Sequence, residues 1–82
     1  MEEIKDEPEK DGTPLTVPMP GLIVRFMVKV GDYVKAGDNI AVMEAMKMEI
    51  DLPSTVDGTV KSINFNIGDN VARDDVLAII GD

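Results

Sequence analysis

Two halves of this chain match each other at a spacing of 37 residues, and this repeat restricts the possible folds more than any other feature of the sequence. The matched pairs include Gly21 with Gly58, Gly31-Asp32 with Gly68-Asp69, Asp38 with Asp75, Ile23 with Val60, Phe26 with Ile63, Val28 with Phe65, and Val30 with Ile67. Residues 43–57 join the halves, and Lys47 lies near the middle of this join, between two methionines. The repeat predicts a pseudo-symmetric scaffold that presents one lysine at a unique point.

The residues from 15 onward have the composition of short β-strands separated by turns. Val, Ile, Phe and Thr are common, and Gly, Pro, Asp and Asn separate the apolar segments. No stretch shows the 3.6-residue apolar period of a helix over eleven residues. We predict turns at Gly31-Asp32 and Gly68-Asp69, because Gly tolerates positive φ and Asp bonds to neighbouring backbone. A second turn is predicted around Asp38, with a counterpart around Asp75.

Both halves interrupt the two-residue alternation of their first strand. Ile23 lies three residues before Phe26, and the second half repeats this interruption after Val60. Such a slip predicts a β-bulge or bend. Beyond it, Phe26, Val28 and Val30 are expected to point inward along the same strand. A bend repeated in both halves predicts a flattened barrel or sandwich with a two-fold pseudo-axis.

The charge and the missing residue types exclude several functions. The net charge is −8, and residues 1–14 contribute six acids and two bases, so this segment is expected to be a disordered acidic tail or linker. An acidic surface does not suit nucleic acid, and no apolar run approaches the roughly 20 residues of a membrane span. The chain has neither His nor Cys and no phosphate-binding glycine motif. We therefore predict a protein that is not itself an enzyme and binds no metal.

Residues 40–43 and 48–52 are predicted to form a hairpin that carries Lys47. Ile40 and Val42 are expected to face inward on the first strand. Met48, Ile50 and Leu52 are expected to face inward on the second strand. Ala45, Met46 and Lys47 remain for the turn, although two-residue hairpin turns prefer Asn-Gly or Asp-Gly. An unfavourable turn at the unique point of a repeat indicates selection for a property other than turn stability.

The segment Glu44-Ala45-Met46-Lys47-Met48 resembles the attachment motif of biotinyl domains, the carrier modules of biotin-dependent carboxylases, decarboxylases and transcarboxylases. The resemblance covers residues 15–82 and includes Pro18-Met19-Pro20-Gly21 and Val56-Asp57-Gly58. It implies two four-stranded antiparallel sheets and a biotin joined through an amide to Lys47. It also implies that Met46 and Met48 are recognised by the ligase or by the carboxylase active sites. Ala45 would keep the turn small, and Glu44 would orient the hairpin or face the ligase.

The same resemblance implies the partners and the setting of the domain. Biotin protein ligase would attach the biotin, and biotin carboxylase and carboxyltransferase or decarboxylase subunits would load and unload its carboxyl group. The isolated domain is expected to be monomeric and cytoplasmic, within a soluble or membrane-associated complex. Residues 1–14 are expected to act as its tether.

Two other functions are compatible with a lysine on a hairpin. A lipoyl carrier domain has a similar fold, but its hairpin usually places an acid before the lysine and Ala after it. A non-carrier structural hairpin module, such as an adaptor domain, would have no reason to keep Met46-Lys47-Met48. The chain also departs from the biotinyl pattern, because Thr55 stands where a Pro commonly precedes Val-Asp-Gly and Pro53 lies earlier. No protruding segment of the kind found in some bacterial acetyl-CoA carboxylase carriers fits between Gly21 and Ile40.

Overall fold

The computed structural model describes residues 12–81, and these form eight β-strands. The strands are β1 (Thr13–Thr16), β2 (Gly21–Phe26), β3 (Tyr33–Val34), β4 (Asn39–Ala45), β5 (Met48–Pro53), β6 (Gly58–Ile63), β7 (Asn70–Val71) and β8 (Val76–Gly81). They make two four-stranded antiparallel sheets, ordered β1-β8-β6-β3 and β5-β4-β2-β7. The predicted all-β architecture is confirmed, as a sandwich of two separate sheets rather than a closed barrel.

The repeat at 37 residues appears in the structure as a pseudo-two-fold axis. Shifting each strand by 37 positions carries β1, β2, β3 and β4 onto β5, β6, β7 and β8. The same shift carries the order of one sheet onto the order of the other. Each half therefore contributes strands to both sheets, and neither half forms a sheet by itself.

The predicted bulges are confirmed at equivalent positions. The register shifts between Ile23 and Arg25 where β2 pairs with β4, and between Val60 and Ser62 where β6 pairs with β8. A bulge lets one strand turn its side chains onto a second face. This explains why an uninterrupted alternation is absent in both halves.

The strands beyond these bulges end sooner than we predicted. β2 stops at Phe26 and β6 at Ile63. Val30, which we expected to point inward, is 55% exposed, and its repeat counterpart Ile67 is 64% exposed. The chain leaves the ladder because a turn begins at Lys29, whose N–H donates to the Asp32 carboxylate at 3.0 Å. The apolar alternation therefore continues past the point where strand pairing ends.

Four turns share this construction, in which an Asp carboxylate accepts the N–H of the residue three positions earlier. The bonds run from Lys29 to Asp32 and Lys35 to Asp38 at 3.0 Å, and from Asn66 to Asp69 and Ala72 to Asp75 at 2.8 Å. The third residue of each turn has positive φ: Gly31 at 99°, Gly37 at 96°, Gly68 at 93° and Asp74 at 73°. The predicted turns are confirmed, and one of the four uses a non-glycine residue in a conformation that favours glycine.

One hydrophobic core joins the two sheets. Its buried members include Ile23, Ile40, Met43, Val60, Leu77 and Ile80. The predicted inward face of β4 is partly wrong, because a bulge between Asn39 and Ala41 changes its phase. Ala41, Met43 and Ala45 belong to the core cluster. Val42 is also buried, but it lies outside that cluster.

The first described strand includes two residues of the expected tail. Thr13 and Pro14, which we assigned to the tail, belong to β1 and pair with Ile80 and Ile79. Residues 1–11 of the expected tail lie outside the described residues. No helix in residues 12–81 is long and apolar enough to cross a membrane.

Candidate functional site

The hairpin formed by β4 and β5 ends in a two-residue turn made of Met46 and Lys47. Ala45 pairs with Met48, so only these two residues connect the strands. Their φ angles are 53° and 66°, the left-handed values that both central residues of a type I′ turn require. The turn thus projects two large side chains from a backbone shape that Asn-Gly adopts most easily.

The backbone of this turn is strained, as its residue types predicted. A left-handed conformation costs a non-glycine residue about 1–2 kcal/mol. The hairpin holds this conformation because its base is anchored. Met43 and Ala45 are 0% and 4% exposed in the core, and β4 pairs with β2 on one side and β5 on the other. Ala45 is therefore a core residue at the end of β4 rather than part of the turn.

Lys47 and its flanking methionines are displayed to solvent. Met46 is 89% exposed and Met48 is 68% exposed, which corrects the expectation that Met48 faces inward. Lys47 is also exposed. Among residues 12–81, no carboxylate forms a salt bridge with its amine. The tip therefore offers a primary amine between two thioether side chains that contribute little to the core.

Carboxylates lie on the outer face of the hairpin, one step back from the tip. Glu44 and Glu49 are directly opposite each other in the ladder and are both exposed. Arg25 reaches across from β2, and its Nη2 lies 3.2 Å from Glu49 Oε1. Both partners are about half exposed, so this ion pair is worth about 0–1 kcal/mol. Its main effect is to offset the repulsion of two like charges in adjacent strands.

A groove of about 470 Å³ lies beside the tip. Besides the hairpin residues 44–47, it is lined by Pro20, Gly21, Leu22, Asn70 and Val71. These residues come from the start of β2 and from β7, which pair with each other. The motif around Lys47 did not indicate them, because only the pairing of distant strands brings them beside it.

Gly21 explains how β2 approaches the hairpin so closely. A Cβ at this position would lie 2.5 Å from the carbonyl oxygen of Glu44 and would collide with the end of the Met43 side chain. Its repeat counterpart Gly58 has the same relation to the Gly81 carbonyl oxygen, at 2.7 Å. The repeated glycines are thus sites of close strand approach, one of them at the base of the lysine hairpin.

Residues 12–81 contain no group of three or more acidic, His or Cys side chains that could hold a metal ion. The chemistry available at the tip is that of an amine, two thioethers and carboxylates.

Comparison with known proteins places this hairpin in a family. Residues 13–80 match the Biotin_lipoyl family, described as "Biotin-requiring enzyme". The chain belongs to this biotin/lipoyl family. The predicted resemblance to biotinyl domains is confirmed by this match, which covers nearly all of the described residues, together with the carboxylase relatives that follow.

The relatives of this biotin/lipoyl domain include several carboxylases. It is 48% identical over 66 residues to the mitochondrial methylcrotonoyl-CoA carboxylase subunit alpha of Dictyostelium discoideum, covering 80% of this chain and 9% of that one. It is 44% identical over 69 residues to the mitochondrial propionyl-CoA carboxylase alpha chain of Homo sapiens, covering 84% and 10%. The biotin/lipoyl domain thus spans about a tenth of the length of these curated relatives.

A solved structure supports the same assignment. The crystal structure of the Kluyveromyces lactis urea carboxylase matches with a TM-score of 0.83 and 32% identity over 98% of this chain, which is 7% of that chain. A similar architecture and a related sequence therefore occur within much longer carboxylase chains.

Proposed function

We propose that this domain is a biotin carboxyl carrier and that biotin is attached through an amide to Lys47. The observation that carries the proposal is the strained Met46-Lys47 turn, which projects from an exposed hairpin tip an amine that pairs with no carboxylate of residues 12–81. A turn optimised only for stability would use Asn-Gly at these positions. The carboxylase relatives support biotin as the attached group.

The residues of the tip suit this modification. The deprotonated Lys47 amine attacks an activated biotinyl carboxyl group, the activating group leaves with the electrons of its bond, and the amine loses a proton. The resulting amide is uncharged, so the net charge of the chain falls from −8 to −9. Met46 and Met48 provide exposed apolar surface on either side of the lysine, which the ligase and the carboxylase sites can recognise.

The role of the domain in catalysis is to position the attached group. When bound, biotin supplies a ureido nitrogen that carries a carboxyl group. Residues 44–49 hold the tether on a hairpin that is anchored in the core, and the long lysine side chain raises the local concentration of the attached group at two active sites. The domain supplies no acid or base to either step. Its proposed partners are biotin protein ligase and the biotin carboxylase and carboxyltransferase or decarboxylase components.

Intact mass spectrometry tests the proposal. The chain is incubated with biotin protein ligase, ATP and biotin, beside Lys47→Arg and the matched surface variant Lys61→Arg. We expect one biotinyl group on the wild type and on Lys61→Arg, and none on Lys47→Arg. Absence of biotin on a wild-type chain that circular dichroism shows to be folded would refute the proposal. A parallel reaction with a lipoyl ligase and lipoate distinguishes the lipoyl alternative, because Met46 and Met48 should prevent efficient lipoylation.

A further inference from the structure

An open apolar groove of about 570 Å³ lies where the two halves of the domain meet. Its apolar lining is Phe26, Val28, Val30, Ile63, Phe65 and Ile67. These residues form three pairs at the repeat spacing of 37, so the groove lies on the pseudo-two-fold axis. We call it the axial groove.

Two of these side chains are more exposed than the fold requires. Val30 and Ile67, at 55% and 64% exposure, occupy the second position of their Asp-bonded turns. The other two turns of the same construction have Ala36 and Arg73 there. The turn geometry therefore does not demand a β-branched apolar residue at this position, and the two turns that carry one both line the axial groove.

The axial groove has one asymmetric feature. Lys29 and Asn66 complete its lining and are also related by the repeat, so one side carries a cation where the other carries an amide. The Lys29 side chain is 86% exposed, and its Nζ lies 3.7 Å from Asp32 Oδ1. A ligand in the axial groove can therefore distinguish its two ends by charge.

The axial groove is well separated from Lys47. Phe26 pairs with Ala41, five residues before the tip residue Met46. At about 3.4 Å per residue this separation is roughly 17 Å along β4. The two grooves share no lining residue, so a protein bound at the axial groove would leave the lysine accessible.

We propose that the axial groove docks the domain on the biotin carboxylase component, which inserts an apolar side chain into it and places a carboxylate beside Lys29. This inference rests on the proposed function. The relatives are named for different acceptors, including methylcrotonoyl-CoA, propionyl-CoA and urea. Carboxylation of biotin is the step that these acceptors would have in common, and a surface remote from the lysine suits that common partner.

A second copy of the chain fits the axial groove less well. Two copies, each with a net charge of −8, would repel each other. Six side chains, several of them partly buried, also fall short of the roughly 800 Å² per partner of a standard stable interface. A small apolar contact with one ion pair is typical of a weak, transient complex. A carrier needs such a complex because it must dissociate from its partner after each reaction.

The test uses the biotinylated domain as the substrate of the biotin carboxylase component from the same organism. Val30→Ser/Ile67→Ser is compared with Met27→Ser/Tyr33→Ser, which removes two other exposed apolar side chains outside the axial groove. The biotin content of every variant is first measured by intact mass and matched, so that failed biotin attachment is distinguished from weak docking. We expect Val30→Ser/Ile67→Ser to raise KM about tenfold, equivalent to about 1.4 kcal/mol, with kcat unchanged. A KM within about twofold of the wild type, or an equal rise in the control, would overturn the inference.

A charge reversal tests the orientation of the docked partner. Lys29→Glu is compared with Lys35→Glu, because Lys35 occupies the same position of the neighbouring turn but lies outside the axial groove. We expect KM to rise several-fold for Lys29→Glu only. The KM of this variant should also lose the dependence on salt concentration that the wild type shows. Sedimentation of the wild type should show a monomer. A dimer that Val30→Ser/Ile67→Ser abolishes would assign the axial groove to a second copy and overturn the proposal.

Discussion

At the scale of single residues, Met46 and Lys47 are where the residues that would best stabilise the backbone differ most clearly from the residues present. Both residues have φ values that favour Asn or Gly, and both side chains point away from the core. Three of the four Asp-bonded turns use glycine at such a position, so this scaffold does relieve strain where nothing opposes it. Under the proposed function, the lysine turn keeps its strain because biotin attachment and recognition need the Lys47 and Met46 side chains.

Replacing Met46 with Asn should stabilise the domain and impair its modification. Asn tolerates the left-handed region better than Met, so we expect the free energy of unfolding to rise by about 0.5–1 kcal/mol. The ligase should act more slowly, because a recognised thioether is lost. Urea denaturation and timed intact-mass measurements give the two quantities. Met27→Asn, at an exposed position without positive φ, is the control and should not gain stability. An unchanged or lower urea midpoint for Met46→Asn would contradict the strain.

Asp74 offers a second residue-scale test, because its repeat counterpart is Gly37. Their φ angles are 73° and 96°. A Cβ on Gly37 would meet no atom within 4 Å, so Gly37→Asp isolates the cost of the backbone conformation. We expect Gly37→Asp to destabilise and Asp74→Gly to stabilise, each by about 0.5–1 kcal/mol. Thermal or urea unfolding measures both, and effects of the same sign would show that φ does not control these turns.

At the scale of the elements, the contact between β2 and the base of the lysine hairpin is the decisive feature. It depends on Gly21, whose missing side chain admits the Glu44 carbonyl. The contact related to it by the pseudo-two-fold axis, between Gly58 and Gly81, carries no lysine. The repeat therefore provides a matched pair of sites, only one of which touches the proposed function.

We expect Gly21→Ala and Gly58→Ala both to destabilise the domain, Gly21→Ala by about 1–3 kcal/mol, because each forces a strand away from its neighbour. Gly58→Ala should cost at least as much, because Gly58 also has a positive φ of 157°. Only Gly21→Ala should also slow biotin attachment, since it displaces the hairpin. Attachment is measured well below the melting temperature of each variant, so that both are folded. Equal attachment rates for the two variants would show that the β2 contact does not position Lys47.

For the whole molecule, the shared core predicts that the sheets unfold together. Ile23 belongs to the sheet that carries the lysine hairpin, but it packs in the same cluster as Val60 and Ile80 of the other sheet. The repeat produces one cooperative unit because each half crosses between both sheets.

Truncating Ile23 to Ala should therefore cost about 2–5 kcal/mol and should accelerate hydrogen exchange in both sheets. Amide exchange followed by NMR gives the protection of β6 and β8 separately from that of β2 and β4. Faster exchange confined to β2 and β4 would mean that the sheets are independent. Val42→Ala serves as the comparison, since Val42 is buried but lies outside the core cluster. Because the sheets unfold together, Val42→Ala should also accelerate exchange in β6 and β8, in proportion to its own, smaller loss of stability.

Much of the fold could be predicted because the relevant interactions are local or repeated. The Gly-Asp pairs predicted turns through backbone bonds within four residues, and the spacing of 37 predicted which strands are equivalent. The ends of β2 and β6 could not be predicted, because the apolar alternation continues through Val30 and Ile67 after the pairing has stopped. The phase of β4 was missed for a related reason, as a bulge near Ile40 depends on its partner strand.

By itself the sequence determined the repeat, the turns, the family resemblance and the lysine to which we assign biotin, because each resides in neighbouring residues or in a fixed spacing. Only the tertiary structure decided what surrounds that lysine and what the repeat leaves exposed. The approach of β2 to Glu44, the bridge from Arg25 to Glu49 and the axial groove all join residues that are distant in the chain. Their positions depend on which strands pair and where pairing stops, and these are outcomes of packing the two halves against one core.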